Sequence, residues 1–517
     1  MNILFIMADQ LRWDHLGCAG HPYLKTPAID ALAARGVRFD KAFVNSGVCG
    51  PSRMSYYTGR YPISHGATWN RVPLSVGEVT LGEMLKGAGH TLALAGKTHV
   101  MPDIGGLARL QLEGGSALAT LLERGGFTEI DRYDGHHTPG HESGYPAFLR
   151  DHGYDGEDPW TDHVIAGIGP DGQVRSGWNM RNVHLPARVK EPHSETAYMT
   201  DQAIRLVHEQ GSRPWMLHLS YVKPHWPYMA PAPYHAMYTA DQCLPVVRSV
   251  AERENEHPVV AAYRQQEECL SFQRDDCIRT VRPAYQGLIS QLDHHLGRLF
   301  DSLAEAGVLD DTLVIFTADH GDFLGDHWLG EKELFYDTVQ KVPFIVVDPR
   351  READATRGSV DSRMVEAVDV VPTVLDALGL ELPAHRLEGR SLLPLLRGEA
   401  TPGWRDFSYS ELDYSWRQAR ITLGKGVHDC RGFSLRTEEW RYVWWLGERE
   451  QLWHLPSDPE QFTDLGAEAS TGAVRAAMRD RLLDFLARRR HRTTVTDAQV
   501  ERGTAAHKRA GVFYGQW

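Results

Sequence analysis

Little in this chain marks it for a membrane, a disulfide scaffold or a nucleic acid. No apolar run approaches the ~18 residues that a membrane-spanning helix needs. The short apolar stretch Ile3–Ala8 has no basic residues before it and ends in Asp9, so it reads as a buried strand and not as a signal peptide. Cysteine is scarce: six in 517 residues, at positions 18, 49, 243, 269, 277 and 430, with no CxxC spacing. That argues against a disulfide framework or a zinc knuckle and makes a reducing, cytoplasmic setting the expectation. Basic excess is missing too, with 55 Lys+Arg against 68 Asp+Glu and a net charge of −13. The one Lys/Arg run that stands out, Arg488-Arg489-Arg490, follows the helical spacing of Leu482, Leu483, Phe485 and Leu486 and reads as a solvated helix end. There are no internal repeats, and 42% hydrophobic with 24% charged residues is ordinary for a globular chain.

What is present is an alternation of apolar strands and helices. Strands are expected at Asn2–Ala8, Val37–Val44, Thr91–Ala95, Trp215–Tyr221, Thr312–Thr317 and Val342–Val347. Helices are expected at Thr26–Arg35 (Thr26 as cap, Pro27 at the first helical position), Thr80–Gly87, Ser194–Glu209, Arg282–Ala306 and Met364–Leu378. Continuous apolar strands between helices predict an α/β fold with a mostly parallel sheet covered on both faces. The expected organisation is a catalytic α/β domain over 1–398, with insertions at 105–191 and 240–280. A smaller C-terminal α+β subdomain follows over 399–517, where Arg441–Leu446 and Glu450–Leu455 look antiparallel. The aromatic end, Val512–Trp517, suggests an oligomerisation tail and a homodimer or homotetramer.

Ligands of open α/β sheets bind beyond the C-terminal ends of the strands. In this chain those ends carry Asp9-Gln10, Cys49–Arg53, Lys97-Thr98-His99, Lys223-Pro224-His225 and Asp319-His320-Gly321. Taken singly, each reads equally well as a turn residue, a surface ion pair or a satisfied histidine. Together they are hard to obtain by chance. Asp9, Asp319 and His320 offer two carboxylates and an imidazole for a divalent metal, with Gln10 as a further oxygen ligand. Arg53, Lys97, His99, His225 and Lys332 would then form a cationic pocket for a compact oxyanion. Asn70 is a candidate substrate contact.

Cys49-Gly50-Pro51-Ser52-Arg53, followed by Thr58-Gly59-Arg60, resembles the signature of type I sulfatases of the alkaline phosphatase superfamily. The similarity extends over most of the chain: Ile6–Gln10, Thr26–Asp30, Gly36–Phe39, Val314–Asp322, Glu388–Pro394 and Trp453–Leu465. It implies an alkaline-phosphatase-like fold and conversion of Cys49 to formylglycine by a formylglycine-generating enzyme. The hydrated aldehyde then serves as the nucleophile. It also implies that Asp9, Cys49, Asp319 and His320 bind one divalent metal ion, Ca²⁺ or Mn²⁺. Arg53 would steady the nucleophile, and Lys97, His99, His225 and Lys332 would surround the substrate, with His225 or Lys332 near the leaving oxygen. Gln10, His320 and the run His218–Tyr228 resemble phosphonate monoester hydrolases, whereas Lys97-x-His99 is the pattern of true sulfatases, choline sulfatase among them. The expected activity is sulfate monoester hydrolysis with phosphonate monoester and phosphate diester side activities. The alternatives are a phosphonate hydrolase and a non-catalytic metal-binding relative.

Overall fold

The computed structural model describes residues 1–135 and 143–515. Its centre is an eight-stranded sheet. In chain order the strands are β1 (Asn2–Asp9), β2 (Val37–Phe39), β3 (Thr91–Gly96), β4 (Thr128–Asp131), β5 (Trp215–Pro224), β6 (Thr312–Ala318), β7 (Phe344–Val347) and β8 (Ser359–Asp361). Across the sheet they run β8-β2-β7-β6-β1-β5-β3-β4. Every pairing is parallel except those of β7, which runs antiparallel to β2 and β6. β1, β5 and β6 are buried along their whole length, as expected for strands covered on both faces.

Two groups of mutually packed helices cover this sheet. The first comprises α1 (Pro27–Arg35), α3 (Glu195–Gln210) and α4 (Asp275–Glu305), and the second α2 (Cys49–Thr58) and α5 (Val370–Ala377). α4 buries Leu288, Leu292, Leu296, Leu299 and Leu303, the stripe legible in the sequence. Burial of each such leucine contributes roughly 1.5–3 kcal/mol.

Several boundaries differ from expectation for physical reasons. Thr26 does not cap α1; its Oγ1 accepts from the Gly17 amide at 2.8 Å and donates to Asp30 at 2.9 Å. The helix expected at Thr80–Gly87 is only Leu81–Met84, closed at its start by a Thr80–Glu83 capping box and shortened among glycines. The strand expected over Val37–Val44 splits, because Ala42–Phe43 pairs separately with Val365–Glu366. That pairing also takes the start of the helix expected at Met364–Leu378, which begins only at Val370. α4 starts at Asp275 and contains Pro283 within it.

The stretch 105–191 is not wholly an excursion, since Thr128–Asp131 joins the central sheet beside β3. Residues 136–142 of this stretch lie outside the described residues. The polar segment around 240–280 folds into helices Pro258–Arg264 and Glu267–Phe272, with Val259, Val260, Tyr263 and Phe272 buried.

A four-stranded antiparallel sheet follows: β9 (Phe407–Asp413), β10 (Arg431–Thr437), β11 (Trp440–Trp445) and β12 (Gln451–His454). Its faces bury Tyr409, Leu435, Tyr442, Trp445 and Trp453 against Tyr61, Phe335, Tyr336 and α6 (Gly472–Ala487). Val512, Phe513 and Tyr514 are exposed, and residues 516–517 of the expected oligomerisation tail lie outside the described residues. Among the described residues, no helix is long and apolar enough to cross a membrane.

Candidate active site

Four neighbouring strands, β6, β1, β5 and β3, deliver the chemistry at their C-terminal ends: Asp319-His320, Asp9, Lys223–His225 and Lys97-Thr98-His99. The strand β3 reaches its end through Gly96, at φ 98°, where a Cβ would lie 1.9 Å from the Ser220 carbonyl oxygen. Only glycine fits there, and the Lys97 amide then donates to that same carbonyl at 2.9 Å.

Cys49 opens α2 and is fully buried. The Gly50 amide, one of the donors a helix start leaves unpaired, donates to Asn70 Oδ1 at 2.7 Å. Asn70 therefore supports the start of the nucleophile helix through this oxygen, a role beyond the substrate contact expected of it. Cys49 Sγ lies 3.0 Å from His320 Nε2, 3.1 Å from Lys332 Nζ and 4.0 Å from Asp9 Oδ1. Burial, followed by the Asp9 carboxylate, pushes the thiol up to about 11, against the pull of Lys332 and Lys97.

Arg53, one turn along α2, is buried beneath these groups. Its Nη2 reaches Asp9 Oδ2 at 3.0 Å and its Nε reaches Asp319 Oδ2 at 2.8 Å. Its Nη1 donates to the Lys97 carbonyl and to Ser220 Oγ, both at 2.8 Å. Lys97 Nζ adds a second cation on Asp9 Oδ2 at 2.6 Å. Burial works to raise the Asp9 carboxyl, but Lys97, His225, Arg53 and His320 hold it well below the ordinary carboxylate range.

Lys332 Nζ bridges Cys49 Sγ, His225 Nε2 (3.1 Å) and Gln10 Oε1 (3.4 Å). Burial, followed by Lys332 and Lys97, lowers His225 well below 6.5, which leaves a neutral imidazole. Its Nδ1 pairs with the Trp226 carbonyl at 2.6 Å, so Nδ1–H donates there and Nε2 accepts from the Lys332 ammonium. His99, at φ 55°, has an unpartnered buried Nδ1, and burial followed by Lys97 lowers it well below 6.5.

Asp9, Cys49, Asp319 and His320 bring one donor atom each to within 4.8 Å of one another, all buried. This set fits a divalent cation. His320 Nδ1 pairs with the Gly321 carbonyl at 2.8 Å, which fixes the ring and leaves the Nε2 lone pair facing the other donors, as a ligating histidine requires. Two carboxylates and an imidazole suit Mn²⁺ or a related ion as well as Ca²⁺. Gln10 stands apart from this group. Its Nε2 donates to Asp322 Oδ2 at 2.6 Å and its Oε1 faces Lys332, so the oxygen expected as a metal ligand is turned to the lysine.

The structure thus brings together Asp9, Cys49, Arg53, Lys97, His225, Asp319, His320 and Lys332, with Gln10 and Asn70 behind them. Three supporting residues were not read from the sequence. Ser220, which accepts from Arg53, is a small polar residue in the middle of β5, beside the apolar Leu219 and Tyr221. Asp134 accepts from the Thr98 amide at 2.6 Å and is held by Arg132, so it fixes the turn that carries Lys97 and His99. It follows β4, a strand too short and polar to recognise. Asp322 receives Gln10 and Tyr228, each at 2.6 Å; it lies in the Val314–Asp322 motif but had no role assigned.

The sulfatase family model matches residues 1–104 and 115–380, and the model of the C-terminal region of N-sulphoglucosamine sulphohydrolase matches 325–488. A multifunctional alkaline phosphatase superfamily protein of Trinickia caryophylli is 31% identical over 502 residues, 92% of each chain. An arylsulfatase of Clostridium perfringens is 28% identical over 488 residues, 90% of each chain. The structure of a phosphonate monoester hydrolase from Silicibacter pomeroyi superposes with a TM-score of 0.84 at 29% identity, over 96% of this chain and 98% of that one. The chain belongs to the sulfatase family, sulfuric ester hydrolases with the alkaline-phosphatase-like fold.

Proposed function

We propose that this chain hydrolyses sulfate monoesters of aryl or small alkyl alcohols at the Cys49 cluster, with phosphonate monoesters and phosphate diesters as side substrates. The observation that carries this reading is the position of Cys49 Sγ, between His320 Nε2 at 3.0 Å and Lys332 Nζ at 3.1 Å, at the head of a helix inside a buried donor set. A thiol pushed up to about 11 is protonated at neutral pH and is a poor nucleophile as it stands. Maturation to formylglycine by a formylglycine-generating enzyme supplies a hydrated aldehyde whose hydroxyl attacks the ester. A divalent cation held by Asp9, Asp319, His320 and the modified Cys49 supplies Lewis-acid stabilisation of developing negative charge.

The remaining roles fall to the chain's own groups. Arg53 keeps the two carboxylates apart from each other and fixed. Lys332 presents an ammonium at the reacting atom; burial works against its charge, and the Glu331 and Asp9 carboxylates hold its pKa up. His225 orients that ammonium by accepting from it. Lys97 and His99 face the non-bridging oxygens, and this second ammonium–imidazole pair favours a sulfate ester. A second reading, phosphonate monoester hydrolysis as the main activity, is favoured by the close fold match to the Silicibacter pomeroyi hydrolase.

Measured kcat/KM for an aryl sulfate, a phenyl phosphonate monoester and a phosphate diester separates the two. The sulfate is expected to lead. A phosphonate preference of orders of magnitude would transfer the assignment to the second reading.

A further inference from the structure

One buried lysine near the cluster has no part in the reaction described above. Lys223 lies at the end of β5, two residues before His225. Its Nζ donates to the Pro227 carbonyl at 2.8 Å and to the His225 carbonyl at 3.3 Å, and it lies 3.5 Å from Glu195 Oε1. An ammonium has three protons. Two of them go to these carbonyls and the third side faces the carboxylate, so none is left for a substrate oxygen. Lys332 differs in this respect, since its ammonium lies at Cys49 Sγ.

Glu195 is the first residue of α3 and is buried as well. Its Oε2 accepts from the Trp160 indole at 2.9 Å, and the helix start favours its negative charge. Burial lowers the Lys223 pKa, against the pull of Glu195. A buried pair of opposite charges is a poor source of net stability, because both charges must leave water. What this pair does is local. The ammonium gathers the carbonyls of residues 225 and 227 and so fixes the turn that carries the His225 ring. The His225 amide closes the same turn on the Val222 carbonyl at 3.1 Å, and Tyr228 anchors its far side on Asp322 at 2.6 Å. In that position His225 Nε2 meets Lys332 Nζ at 3.1 Å.

We infer that Lys223, held by Glu195, is a positioning residue that sets where the His225 imidazole meets the Lys332 ammonium, and through them the support given to the departing oxygen of the ester. The inference rests on the ester-hydrolase reading, in which those two groups stand near the leaving oxygen.

The test compares phenyl sulfate with para-nitrophenyl sulfate, whose phenolate leaves more readily. Three proteins are measured: wild type, Lys223→Met and the double variant Lys223→Met/Glu195→Gln, in which neither partner of the buried pair is left charged and alone. A displaced His225 weakens support of the departing oxygen, and the poorer leaving group depends on that support more. In both variants kcat is expected to fall about a hundredfold for phenyl sulfate and about tenfold for para-nitrophenyl sulfate, with KM changed less than about threefold. The ratio of the two kcat values then rises about tenfold. An equal loss for both esters, which is what a smaller folded fraction produces, overturns the inference, and so does no loss at all. Should Lys223→Met fail to fold, as read by thermal melting, the double variant carries the same test. Should wild type act on phosphonates instead, the phenyl and para-nitrophenyl monoesters of phenylphosphonate supply the ratio. Should wild type hydrolyse none of these esters, the ester-hydrolase reading fails, and crystal structures of wild type and the double variant decide the positioning role by themselves. A His225 ring withdrawn from Lys332 supports it; a ring still 3.1 Å from Nζ overturns it.

Discussion

Arg53 reaches Asp9 and Asp319 from below, at 3.0 and 2.8 Å, and all three side chains are buried. Two carboxylates this close repel in a medium of low dielectric, and the guanidinium fixed between them offsets that repulsion. Among the described residues, Arg53→Ala leaves Lys97 as the remaining lysine or arginine partner of that pair, on Asp9 alone, with the His320 imidazole 3.9 and 3.7 Å from Asp9 and Asp319. Removing one partner of a buried charge set costs about 3–5 kcal/mol. The expected outcome is a denaturation midpoint lowered accordingly, with a loss of kcat/KM of at least about a hundredfold. A variant with wild-type stability and activity would show that the cluster does not depend on Arg53. At this scale the site was largely legible in the sequence, because strand-end positions are set by the hydrophobic pattern and the chemistry sits on the next residue or two. The orientation of each side chain was not legible. The Gln10 oxygen expected at the metal faces Lys332, and Asn70, expected as a substrate contact, accepts from the Gly50 amide.

At the scale of elements, the C-terminal sheet holds the loop that carries Lys332. That loop places three non-glycine residues at positive φ, Glu331 (58°), Glu333 (79°) and Leu334 (49°), so the surrounding structure must fix it. Arg441, on β11, donates to the Phe335 carbonyl at 2.6 Å and contacts Asp337, while Arg436, on β10, reaches Asp337 at 3.2 Å. Burial raises the Asp337 carboxyl, but Arg436, Arg441 and Lys341 pull it further the other way, to about 2. A lowered carboxyl gives stability that is present above its unfolded value, about 4, and is lost as pH falls toward 2. Asp337→Asn is therefore expected to lower stability at pH 7 by on the order of 2 kcal/mol and to flatten the acid limb of a Tm-against-pH curve. It should also reduce kcat by displacing Lys332. An acid limb identical to wild type would remove Asp337 from this account. Nothing in the sequence announced the loop, because no glycine marks its left-handed residues. The edge strand Thr128–Asp131 was hidden for a related reason: four residues with two acids carry no strand period. α4, with five leucines at helical spacing over sixteen residues, was legible.

Across the whole molecule, the four donors come from the end of β1, the start of α2 and the turn after β6, elements far apart in the chain. A bound cation therefore adds a tie between segments that the folded chain already holds together through the β1–β6 pairing, Arg53 and the Ser52 hydroxyl on the Asp319 carbonyl. Ligand binding to the native state alone raises stability by mass action. Metal-free protein prepared by chelation should melt several degrees lower and lose ester hydrolysis, with Mn²⁺ restoring both at lower concentration than Ca²⁺, since an imidazole is among the ligands. Unchanged melting and activity after verified metal removal would contradict this. The overall architecture followed from the sequence because alternating apolar strands and amphipathic helices leave few topologies. The antiparallel strand β7 within the parallel sheet did not follow, since a buried apolar strand reads the same in either direction. Everything proposed for the reaction depends on a modified Cys49 as the reacting group, which the mass of the tryptic peptide Ala42–Arg53 from catalytically active protein reads out. An aldehyde is expected in place of the Cys49 thiol; active protein carrying only the thiol would rule out a formylglycine nucleophile.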